Sequence, residues 1–156
     1  EPCIGETPFG VSVSNFNSST MTNDLMTLRY FNVQSGNGFS VDKDLNGYNP
    51  PREAYAVGGA TDSVEMVDNN LLSYNAFRFT MELNIEFMEK NERYFRNEDP
   101  LGNYQQVIGA WVNDDNYAFI EVSDIVFDRE EAIALGKERG EEAIWDFDNN
   151  CEIKLT

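Results

Sequence analysis

Two runs of strand-forming residues, Val107–Val112 and Tyr117–Val122, stand on either side of Asn113-Asp114-Asp115-Asn116, and no other pattern constrains the fold as much. They read as a β-hairpin, so the sheet that holds them is antiparallel at this point. Just downstream, Asp128-Arg129-Glu130-Glu131 has the form of a helical capping box, Ala132, Ala134 and Leu135 follow, and Gly140 stands where a C-terminal glycine cap would. Ala143–Phe147 and Glu152–Leu155, joined by Asp148-Asn149-Asn150, form a second hairpin. Upstream, Met81, Ile85, Met88 and Phe95 recur at helical spacing from about Thr80, a residue type suited to an N-cap, and Pro100 and Gly102 close the region.

Before that helix the signals are shorter. Leu28–Val33, Phe39–Val41, Ala54–Val57 and Ser63–Val67 read as strands, and residues 1–27, rich in Ser, Thr, Asn and Gly, read as irregular apart from a short strand near Val11 and Val13. The expectation is a polar N-terminal extension over 1–27 and a single α+β domain over 28–156. Its sheet is mainly antiparallel, with two principal helices at about 80–96 and 129–139. The core should include Met81, Ile85, Met88, Phe95, Trp111, Ile120, Leu135, Ile144 and Trp145.

Charge narrows the function. The 156 residues carry 28 Asp and Glu against 11 Lys and Arg, a net charge of −17. Nucleic acid and anionic membrane surfaces would be repelled, whereas a basic protein, a basic peptide or a divalent cation would be attracted. No apolar run approaches the length of a membrane span. Histidine is absent, which excludes Ser-His, Cys-His and His-metal mechanisms. The two cysteines, Cys3 and Cys151, could staple the chain ends in an oxidising compartment; with no signal-peptide segment in view, free thiols are expected.

Three groups of acids are candidates for chemistry or binding. Asp42, Asp44, Asn46 and Glu53, with Gly47 for the turn and the Tyr48 carbonyl, fit the oxygen-ligand pattern of a calcium loop. A helix-loop-helix setting is not expected around it, because Phe39–Val41 reads as strand and Pro50-Pro51 occupies the second helix position; the bland alternative is a polar turn. Glu121 and Asp124, near Trp111 and Tyr117, are the candidates for a hydrolase that uses carboxylates alone. Glu138, Glu141 and Glu142 are the candidates for contact with a basic partner.

The order Ile108-Gly109-Ala110-Trp111-Val112, Tyr117–Ser123, Glu131–Gly136 and Ala143-Ile144-Trp145-Asp146-Phe147 resembles small conserved hypothetical proteins of bacteriophages and prophages. Gly38–Val41 and Tyr55-Ala56-Val57 are similar to the N-terminal strands of that group, so the likeness spans about residues 36–153; the group usually has Gln where this chain has Glu141. The resemblance implies a phage or mobile-element origin and action in the host cytoplasm or as part of a virion. It carries no activity. Combined with the charge, it gives the expectation of a non-enzymatic accessory protein that binds a basic protein partner, for instance by occupying a nucleic-acid-binding groove. A calcium-stabilised structural or virion component is the alternative, and a carboxylate-only hydrolase the second.

Overall fold

A computed structural model describes residues 18–60, 65–98 and 105–155. In chain order they form α1 (Ser18–Gln34), β1 (Phe39–Val41), β2 (Tyr55–Val57), β3 (Glu65–Asp68), α2 (Tyr74–Glu98), β4 (Gln105–Val112), β5 (Tyr117–Val126), α3 (Arg129–Glu138), β6 (Ala143–Asp146) and β7 (Cys151–Lys154). The strands make one sheet in the order β1-β4-β5-β2-β6-β7, with β3 also paired to β5, and every pairing is antiparallel. The fold is α+β, as the hairpin signals require.

β5 organises the sheet. One edge pairs with β4 from Ala118 to Ile125; the other is shared end to end, by β3 at Tyr117–Ile120 and by β2 at Asp124–Val126. Side chains alternate across a strand, so Ala118, Ile120 and Val122 enter the main core with Ile108 and Ala110 of β4. α1 and α2 cover that face with Leu25, Met26, Val33, Phe77, Met81 and Met88. α3 lies over β2 and β6, where Tyr55, Val57, Ala132 and Ile144 form a second cluster. Gly136 lets α3 close on β6: a Cβ there would stand 2.9 Å from Ile144 Cγ2 and 2.6 Å from Leu155 Cδ1.

The capping box is real, with the Glu131 amide donating to Asp128 Oδ2 at 2.9 Å. The other helices correct the sequence reading. Leu28–Val33, expected as strand, is the second half of α1, which also runs through the boundary expected at 27/28. The reason lies in tertiary packing. Leu25, Arg29 and Val33 recur every four residues on a buried face, whereas Phe31 is left exposed, so no clean apolar stripe shows in the sequence. α2 starts at Tyr74, not Thr80, because Ser73 Oγ accepts from the Ala76 amide at 3.1 Å and provides the cap. Val11 and Val13, and the Phe95 side chain, lie outside the described residues.

Arg29 is fully buried and donates from Nε and Nη2 to the Leu45 carbonyl at 3.1 and 3.0 Å. Burial lowers its pKa, and the charge of Asp42 opposes that shift. It ties α1 to the turn after β1.

Cys151 is disulfide-bonded, contrary to the expectation of free thiols; Cys3, the only other cysteine in the chain, lies outside the described residues. Among the described residues no helix is long and apolar enough to cross a membrane.

Of the expected core, Met81, Met88, Ile120 and Ile144 are buried, Ile85, Leu135 and Trp145 are partly so, and Trp111 is 40% exposed on the far face of the sheet. Ile144→Ala should therefore cost about 2–5 kcal/mol in denaturant melts, whereas Trp111→Ala should cost clearly less. Equal losses would overturn this assignment of faces. Titration of denatured, unreduced protein should find no free thiol at Cys151; a reactive Cys151 would contradict the bridge.

Candidate functional site

The acid loop after β1 closes on itself. Asp42 Oδ1 accepts from the amides of Asp44 and Asn46 at 2.9 and 3.1 Å, the Asp42 amide donates to the Asn46 carbonyl, and Val41 bridges to Gly47. Leu45, at φ 71°, turns its side chain into the core and its carbonyl to Arg29. The Tyr48 hydroxyl donates to Gln105 Oε1, and Glu53 Oε1 accepts from Tyr55 at 2.7 Å. Burial raises the Asp42 pKa, with the two amides pulling the other way. The carboxylates of Asp42 and Glu53 thus serve the turn and its neighbour, Asp44 and Asn46 contribute their backbone amides to it, and Tyr48 contributes its hydroxyl to β4. Among the described residues no group of three or more His, Cys, Asp or Glu is placed to hold a metal ion.

Glu121 and Asp124 are not a pair. Three residues apart on one strand, they project from opposite faces of β5. Asp124 faces the helices, where its carboxylate accepts from Arg139 and from Gln106 Nε2 at 2.9 Å, and Asn91 donates to Gln106 at 3.2 Å. This row borders an open cleft of about 500 Å³ lined also by Phe87, Ile125 and Leu135.

The partner of Glu121 is Glu141, in the turn after α3. The two carboxyls meet over Gly58, where β2 has left β5 and β3 has not yet joined it. Gly58 leaves room for this contact, because a Cβ there would displace the carboxyl ends of both Glu121 and Glu141. Arg139 completes the junction by donating to the carbonyls of Val57 and Gly58 at 3.3 and 3.0 Å. Burial first, then the charge of Glu141 and a hydrogen bond to it, push Glu121 up to about 7; the Gly59 amide and Arg139 pull it down. Glu141 is also raised, chiefly by burial. The pair shares a proton near neutrality. Glycoside hydrolysis needs carboxyls roughly 5–9.5 Å apart across a bound sugar, and two acids hydrogen-bonded to each other do not offer that.

The same face of β5 carries the second feature, which sequence reasoning missed. Met66, Phe119 and Trp111 stand opposite one another on β3, β5 and β4 and form a row across the sheet. Trp111 and Phe119 stack with ring centroids 4.2 Å apart and 7° between planes. Met66 is 59% and Tyr117 39% exposed, so the row is open to solvent. Asp68 lies opposite Tyr117, Glu121 lies one step along from Phe119 opposite Gly109, and the turn Asp114-Asp115 joins β4 to β5 beyond the two rings. The alternation that sends Ala118 and Ile120 inward places Phe119 outward, and the register that sets Trp111 opposite Phe119 puts it on the same outer face, not in the core expected for it. Of the acids expected to meet a partner, Glu138 and Glu142 are exposed and Glu141 is held by Glu121.

No family model matches the sequence, and neither a curated protein nor a solved structure matches it.

A carboxyl whose folded pKa is raised contributes stability that is complete below the ordinary carboxylate range and lost as pH climbs through about 7. The chain should therefore lose stability between about pH 5 and 8 relative to Glu121→Gln, in which the charge cannot form. Parallel stability curves for the two proteins would contradict the shared proton. Gly58→Ala should cost about 1–3 kcal/mol by forcing the two carboxyls apart, and a neutral result would contradict the close approach.

Proposed function

We propose that this chain acts without catalysis, by binding a basic protein partner through an acidic surface. The observation that carries this is the distribution of charge over the sheet. No Lys or Arg occurs from Glu53 to Phe77 or from Gln105 to Val126, which covers β2, β3, β4 and β5, while the exposed acids Asp114 and Asp115 and, on β3, Asp68 do; Asp124 in the same stretch is matched by Arg139, and Glu121 is raised to about 7 beside Glu141. On α2, by contrast, acid is matched locally: Arg78 pairs with Glu82 at 2.8 Å and Lys90 with Glu86 at 2.9 Å. The α2 surface is thereby close to balanced, whereas the turn between β4 and β5 presents Asp114 and Asp115 with no base beside them in the sequence. That favours the hairpin over the end of α3, where Glu138 and Glu142 lie beside Lys137 and Arg139.

The disulfide at Cys151 supports a site of action in an oxidising compartment or on a particle surface, not in a reducing cytoplasm. A phage or prophage origin, which the sequence resemblance implies, is compatible with either setting.

The test is capture of purified basic, neutral and acidic proteins by the immobilised chain. Only basic proteins should be retained, and retention should fall as salt rises from about 0.05 to 0.5 M, where screening acts over a few ångströms. Asp114→Asn with Asp115→Asn should weaken retention without lowering the melting temperature. Retention that ignores the charge of the captured protein would sink the proposal.

A further inference from the structure

The basic-partner reading says nothing about which chemistry the surface recognises, and the open row Met66–Phe119–Trp111 supplies one. Aromatic rings stacked on a sheet normally turn their outer faces to another protein layer. Here Trp111 is 40% and Met66 59% exposed, and the surrounding strands offer no cation of their own. The face of an indole ring attracts a guanidinium or ammonium group, more strongly when carboxylates nearby add their field and when the ring is held rigid. Both conditions are met. Phe119 fixes the plane of Trp111 by stacking at 4.2 Å, and Asp68 and the Asp114-Asp115 turn border the row. The floor beside it is low: Gly109, opposite Glu121, and Gly38, next to Trp111 on the β1 side, have no side chains to block an incoming one. Gly38 is required in any case, since a Cβ there would stand 2.6 Å from the Ala110 carbonyl oxygen.

Resting on that reading, we propose that the outer face of β3, β5 and β4 is the docking site, and that it takes an arginine-bearing segment of the partner, with a guanidinium laid on Trp111 and the acids at the rim meeting its charge. Arginine is favoured over lysine because its planar group can stack on the indole and reach a carboxylate at the same time. A second copy of this chain is disfavoured as occupant, since its own face would bring equal negative charge to the contact.

The probe is a fluorescein-labelled peptide of four Gly-Arg repeats, with Gly-Lys and Gly-Glu peptides as controls, followed by anisotropy at about 0.05 M salt. The parent protein should bind Gly-Arg more tightly than Gly-Lys and should not bind Gly-Glu. Trp111→Leu, which keeps apolar bulk and removes the ring, should weaken Gly-Arg binding roughly tenfold at an unchanged melting temperature. Should that variant be unstable, Met66→Ala gives a second reading, because an exposed methionine contributes little to the fold; it should weaken binding roughly two- to threefold. Salt-sensitive Gly-Arg binding that is equal in the parent and in both variants would overturn the site and leave the basic-partner reading standing. Absence of binding by the parent to both basic peptides, together with failure to retain any basic protein, would overturn both. A dimer of the parent that Trp111→Leu dissolves would assign the face to a second copy and overturn the proposal.

Discussion

The pairing of β5 with three other strands is the constraint on which the rest of this structure depends. A strand of ten residues with β4 along one edge has room for two short partners on the other, and here β3 and β2 divide that edge between them. Period-two alternation then does the sorting. Ala118, Ile120 and Val122 pack under α1 and α2, while Tyr117, Phe119 and Glu121 face away from them. Where the two short partners fail to meet, Gly58 and Gly59 cross beside Glu121, and the turn after α3 brings Glu141 to the same point. The stacked rings and the proton-sharing acids are thus neighbours because one strand has a divided edge.

Much of this architecture could be read from residues close together in the chain. The hairpin about Asn113–Asn116 and the cap at Asp128 are local signals, each made by a few consecutive side chains and the backbone beside them. α1 could not be read in that way. Its buried face is built from Leu25, Met26, Arg29 and Val33, and a buried arginine looks like a surface residue until the carbonyl it serves, that of Leu45, is known. The calcium-loop pattern shows how one spacing admits two readings. Its acids are spaced for a cation, and the same spacing suits a carboxylate that caps its own turn, which is the arrangement Asp42 makes with the amides of Asp44 and Asn46. Glu121 was singled out in the sequence with the wrong neighbour. Only the sheet brings it to Glu141, twenty residues along the chain, and only alternation separates it from Asp124.

The aromatic row and the acid pair also differ in how they respond to conditions. The field of the exposed acids weakens with salt, whereas the proton held between Glu121 and Glu141 responds to pH in the neutral range. Ionisation of both would place two like charges in contact at the junction of β2, β3 and α3, one step from Phe119.

The absence of Lys and Arg from the central strands has a consequence for proteolysis. A protease that cleaves after basic residues finds no bond to cut within 53–77 or within 97–128, even in the fully unfolded chain. Digestion would cut most of α2 and α3 into short peptides and release β2 with β3, and β4 with β5, each within one long fragment. The second of these would hold the whole hairpin and both stacked rings. In an environment rich in trypsin-like enzymes, the strands that build the open face would offer no internal bond for cleavage.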